Sequence, residues 1–179
     1  MDIYSVNWGS VAEWVSGIGS LAAVITALYL ASSSRRVRLD GYCGLRRSIG
    51  GGMPEAELLY INVRNIGSRS TIVNNIGIRI GLIKKRYAIL APPRDRYSDG
   101  IPKALGDGEE AHWAIVLDEE DTWVKKLCKG FVKSGIDVWT LRFQIHTTNG
   151  GSTNIRPEKE LRDKILKCLG RSEQTQNDV

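Results

Sequence analysis

Two histidines, three cysteines and two acidic runs are the residues of this 179-residue chain whose chemistry could make a site. His112 and His146 have no His or Cys partner at metal-ligand spacing. In the strands they occupy, both fall out of step with the apolar residues beside them, Trp113 and Ile145, so both are expected to face solvent. Asp107, Glu109 and Glu110 form one acidic group, and Asp118, Glu119, Glu120 and Asp121 another. Paired carboxylates can hydrolyse a glycosidic bond or hold a divalent ion. Here the second group is accounted for by the start of a helix and the first by a loop. Cys43, Cys128 and Cys168 are odd in number and widely spaced, which fits free thiols in a reducing compartment better than a metal site or a disulfide framework. Gly50, Gly51 and Gly52 lack the lysine of a phosphate loop, and no serine stands in a nucleophile elbow. The reading is therefore no catalytic residue, no cofactor and no metal ligand: a protein that is not an enzyme.

Charge adds a further exclusion. Lys and Arg total 25 against 20 acidic residues, for a net charge of +5, but the bases are interspersed with the acids. That dispersal argues against nucleic acid, whose recognition needs clustered positive charge.

The most informative segment is apolar. Trp14 to Ala31 is free of charge, and as a helix it covers ~27 Å, close to the thickness of a bilayer core. Extension back to Val11 brings Glu13 to the interface, where a carboxylate is tolerated. Trp8, Trp14 and Tyr29 suit interfacial anchors. A cleaved secretory signal is disfavoured because Asp2 and Glu13, but no base, precede the apolar run. A buried helix of a soluble domain is the competing reading, since Ser16, Gly17, Gly19, Ser20 and Thr26 make the segment only moderately apolar. If it spans, Arg35, Arg36 and Arg38, followed by Arg46 and Arg47, retain the bulk of the chain on the cytoplasmic side, with the N-terminus outside. Gly19, Ala23, Ala27 and Ala31, with Ser16 and Ser20 beside them, line one helical face through which two copies could associate.

The remainder must build the domain that this helix carries. Apolar residues alternate at Val37, Leu39, Cys43 and Leu45, at Leu59, Ile61 and Val63, and at Ile72, Ile76, Ile78, Ile80 and Leu82, with turn residues Asn65, Gly67 and Ser68 between. Lys84, Lys85 and Arg86 read as a solvated turn into Tyr87–Leu90. After a polar loop opened by Pro92 and Pro93 and closed near Asp107 and Gly108, the alternation resumes at Trp113, Ile115 and Leu117. It recurs at Trp139, Leu141, Phe143 and Ile145, which lead through an Asn149–Gly150 hairpin to Ile155. Two short helices are expected, near 118–129 (capped by Asp118, stopped by Gly130) and near 157–169 (Leu161, Ile165, Leu166 and Leu169 inward, stopped by Gly170). Seven or eight short strands point to a mainly β fold: a tail and transmembrane helix over 1–34, a β-sandwich over 35–170, and a disordered tail over 171–179.

The anchor WVSGIGSLAAVITALYLA, the basic stretch after it, VRNIGSRSTIVNNIGIRIG, the LGDGEE loop and the late TNGGSTN turn together resemble a widespread group of uncharacterised bacterial and prophage single-pass membrane proteins, over most of the chain. That resemblance implies an immunoglobulin-like sandwich at the inner face of the plasma membrane, and it brings no catalytic residues. The Cys, Trp, Cys signature of antibody domains is missing, which leaves the strand topology open. The expected role is a membrane-anchored interaction module with an unidentified protein partner, by analogy in prophage exclusion or anti-phage defence. The alternative is a tethered sensor whose sandwich binds a small ligand.

Overall fold

The computed structural model describes residues 11–34, 37–50 and 55–177. They form two compact units, divided after Arg36. The first unit holds the helix α1, Val11–Ser34.

The second unit is sheet-rich, with two antiparallel sheets. Strands β1 (Leu39–Ser48), β2 (Ala56–Asn65) and β6 (Glu110–Leu117) form one, in the order β1-β2-β6. The other holds β3 (Thr71–Ile80), β4 (Arg86–Leu90), β5 (Lys103–Leu105), β7 (Arg142–Thr147) and β8 (Ser152–Ile155), in the order β4-β3-β7-β8, with β5 paired to the start of β3. Three helices follow the strands in sequence or interrupt them: α2 (Thr122–Gly130), α3 (Gly135–Thr140) and α4 (Lys159–Asn177).

Both sheets turn their apolar rows into one core. Leu59, Ile61 and Val63 of β2 and Trp113 of β6 meet Val73, Ile76, Ile78 and Ile80 of β3 and Phe143 and Ile145 of β7. Val124, Leu127, Val138, Leu161 and Ile165 from the helices join the same cluster. In β2 and β7 the alternating apolar residues read from the sequence are all buried, although Leu58, Asn62 and Gln144 on the opposite face are buried as well. In β3 the alternation breaks. A bulge between Val73 and Asn75 reverses the parity, so Thr71 and Val73 point inward before it and Ile76, Ile78 and Ile80 after it. Ile72, read from the sequence as a core residue, is 39% exposed, and Leu82, also expected inward, lies beyond the end of β3 and is 64% exposed.

Other expectations need correction. Trp139 belongs to α3, not to a strand, and is exposed. Ser134 caps that short helix by accepting from the Asp137 amide. The polar loop after Pro93 contains β5, a strand too short to carry a pattern. Asp118 does bond the start of α2, accepting from the Thr122 amide at 2.6 Å, yet the helix begins only at Thr122, leaving the acids in the preceding turn. It ends at Gly130, as expected, with Phe131 as its C-cap. By contrast α4 continues past Gly170 to Asn177, and Leu166 is exposed on it. The accessory helices of the sheet domain therefore number three among the described residues, not two.

Two of the hairpin connections carry a left-handed glycine. Gly81, at φ 89°, closes β3 onto β4, and Gly150, at φ 74°, closes β7 onto β8; side chains are strained in that left-handed region.

Candidate functional site

The α1 helix is apolar along its length and exposed. Every residue from Val11 to Ser32 is exposed, Val15, Ile18, Leu21, Val24, Ile25, Leu28 and Leu30 among them. Among the described helices it is the one long and apolar enough to cross a membrane. A stable helix in water normally has a polar face and hides its apolar one. Here the apolar residues surround the axis, as in a helix solvated by lipid. Trp14 and Tyr29 are exposed near its two ends. Ser16, Gly19, Ser20, Ala23, Ala27 and Ala31 are all exposed as well, and a methyl group added at Gly19 would meet nothing within 4 Å. Thr26 returns its hydroxyl to the Ala22 carbonyl at 2.8 Å, which satisfies the polar atom within the helix. Trp8, Arg35 and Arg36, read as an anchor and as topology-setting residues, lie outside the described residues. Arg38, the third of those arginines, is exposed just before β1.

On the outer face of the three-stranded sheet, sequence reading missed an aromatic row. Tyr42 of β1, Tyr60 of β2 and His112 of β6 stand side by side, with ring centroids 6.1 Å and 5.8 Å apart. The Arg46 guanidinium lies 5.1 Å from the Tyr42 ring and makes a bidentate pair with Glu158, both bonds at 2.8 Å. Gly44 leaves the space for that pair, since a Cβ there would collide with the Glu158 carboxylate. Arg46, one of the bases that follow the helix in sequence, is thus held in a strand by its ion pair with Glu158. The signal was present in the out-of-phase positions of two alternating strands, which a search for core residues passes over.

His112 faces outward as expected, but it has a partner. Its Nδ1 lies 3.3 Å from Asp99, whose carboxylate also accepts from the His112 amide at 2.9 Å and from Lys103 Nζ at 2.8 Å. Burial raises the Asp99 carboxyl, but the hydrogen bonds from Lys103 and the His112 amide outweigh it and hold the group below its usual value. Two further bonds join Ser98 to Ala114, so residues 98–99 run along the free edge of β6 and cover it. The Asp99–His112 contact is therefore a tie between loop and strand.

The remaining polar clusters also join elements. Lys164 of α4 bonds Glu57 of β2 and Asp121 at the start of α2. Arg86 holds Asp137. Of the first acidic group, Glu109 closes its own turn on the Gly106 amide at 2.7 Å, and Glu110 faces Arg64 at 3.6 Å. The Cys128 thiol, pushed up to about 12 by burial and by the neighbouring Cys168, is a poor nucleophile, and none of the three cysteines is in a disulfide among the described residues. Nothing in the spacing of Cys128 and Cys168 indicates that α2 and α4 bring them together. Among the described residues no three His, Cys, Asp or Glu side chains converge as a metal site would require.

No protein-family model and no curated protein matches this chain.

Proposed function

We propose that the protein is a single-pass membrane protein that acts by binding and not by catalysis: α1 anchors it in a bacterial plasma membrane, and the sheet domain, an immunoglobulin-like sandwich in this reading, presents a docking face to another protein on the cytoplasmic side. The observation that carries the reading is the uninterrupted exposure of an apolar α1. Burying one such side chain gains about 1.5–3 kcal/mol, so a helix of them left in water is a strongly unfavourable surface, and a bilayer removes it. The orientation rests on the positive charge that follows the helix in sequence. The docking face is supported by the Tyr42–Tyr60–His112 row and its adjoining arginine, residue types that protein interfaces favour. A role in prophage exclusion or anti-phage defence is supported by the sequence resemblance alone.

Carbonate extraction of membranes tests the anchor. The full chain should stay in the pellet, and a chain lacking 11–34 should leave it. Recovery of the full chain in the supernatant rejects the proposal. Protease added to spheroplasts should spare the sheet domain if the orientation is right, and should digest it if the orientation is reversed.

A further inference from the structure

Four arginines that lie near one another, Arg79, Arg142, Arg156 and Arg162, form no ion pair among the described residues. Arg79 of β3 and Arg142 of β7 are directly opposed in register. Phe143 pairs with Ile155 in the next ladder, so one step further along that antiparallel pair Arg142 stands across from Arg156. Arg162, in the first turns of α4, lies near enough for its charge to act on Arg142. Like charges placed opposite one another destabilise a sheet, and three in a row at one level is a costly arrangement.

The structure does nothing to relieve it. Elsewhere in the domain Arg46, Arg64, Arg86, Lys103 and Lys164 each face a carboxylate. Among the described residues no carboxylate pairs with Arg79, Arg142, Arg156 or Arg162. Glu158, two residues from Arg156, is taken by Arg46. Arg142 spends one nitrogen on the carbonyls of Trp139 and Leu141, at 3.2 and 2.7 Å. The Nε atoms of Arg79 and Arg162 are buried and make no hydrogen bond at all. A buried donor without an acceptor is rare in folded proteins, and two beside uncompensated guanidiniums suit an acceptor that also carries negative charge. Burial and the three neighbouring guanidiniums together lower the proton affinity of Arg142, which reflects the same uncompensated field.

We infer that Arg79, Arg142, Arg156 and Arg162 form a binding site for a phosphoryl group. A carboxylate supplies one charge and two oxygens, enough for a single guanidinium fork. Four guanidiniums match a multiply charged oxyanion with three or more acceptor oxygens, the geometry that arginine recognises in phosphate. The phosphoryl group can belong to a soluble phosphate ester or to an anionic lipid headgroup. The inference does not depend on α1 crossing a membrane.

The test uses the full chain in neutral-detergent micelles at fixed ionic strength. Inorganic pyrophosphate is one probe, and phosphatidic acid mixed into the micelles, against phosphatidylcholine, is the other. At a large excess over the dissociation constant a bound probe should raise the unfolding midpoint by about 5 °C. A rise with pyrophosphate indicates a soluble ligand, and a rise with phosphatidic acid alone indicates a headgroup. R142Q and R156Q should each weaken the effect at least about tenfold. R47Q, an exposed arginine outside the cluster, should leave it unchanged. Arg156 is itself exposed, so R156Q serves if R142Q fails to fold. No rise with either probe, or an undiminished rise in R156Q, overturns the site.

Discussion

Arg86 of β4 donates from Nη2 to the Asp137 carboxylate of α3 at 2.8 Å, across 51 residues of sequence. The same oxygen accepts from the Lys133 amide at 2.9 Å, so one carboxylate fastens a strand, a turn and a short helix. Burial raises the Asp137 carboxyl, yet the Lys133 amide and Arg86 prevail and hold it below its ordinary value. A depressed carboxyl contributes stability above its unfolded pKa, and that contribution is lost as pH falls through the folded one. D137N should therefore cost about 2 kcal/mol at neutral pH, a figure discounted because Arg86 is partly exposed. The gap between wild type and D137N in urea titrations should close below about pH 4. A gap that stays constant into acid would contradict the assignment.

Asn65 organises the turn between the two sheets. Wholly buried, it donates to the carbonyls of Arg69 and Leu105 and accepts from the Gly67 amide, at 2.9, 3.2 and 3.0 Å. Alanine there orphans three backbone groups. N65A should lose about 2–3 kcal/mol in equilibrium unfolding, whereas a cost below about 0.5 kcal/mol would show that solvent satisfies them.

Trp113 sits fully buried with its indole N–H unbonded. Phenylalanine removes that unmet donor along with some volume, and the two effects oppose. W113F is expected to cost less than about 1.5 kcal/mol and W113A about 4 kcal/mol. Similar losses in the two variants would mean that the indole nitrogen is satisfied.

Thiol labelling reports the core directly. Burial pushes Cys43 well up, with Glu158 adding to it, and Cys128 to about 12. Maleimide at pH 8 should modify neither in the folded protein and both in denaturant. Rapid labelling of Cys128 in the native state would show that α2 and α4 separate.

The small-residue face of α1 yields a prediction of its own. Leucine at Gly19 and Ala23 should weaken crosslinked oligomers in membranes, since close backbone approach requires small side chains. The sheet domain's unfolding midpoint should not move. Oligomers of unchanged yield would remove this face from consideration.

Local rules sufficed for a good part of this protein. An uncharged run of this length reads as a long apolar helix whatever follows it, but that the helix is exposed and not buried was left open by composition. Strict alternation identified β2 and β7, while Asn65, Gly67 and Asn149–Gly150 marked turns, because these depend on backbone preferences and on having one buried face. Tertiary structure decided what depends on partners distant in sequence. The bulge in β3 lies where it pairs with β7, so the outward position of Ile72 could not be read from its neighbours. Trp139 was drawn into a helix capped by Ser134, although it fits the alternation of the strand that follows. The arginine row exists only because antiparallel registers align residues 79, 142 and 156 at one level, and charge acts through space across separations that sequence spacing does not reveal.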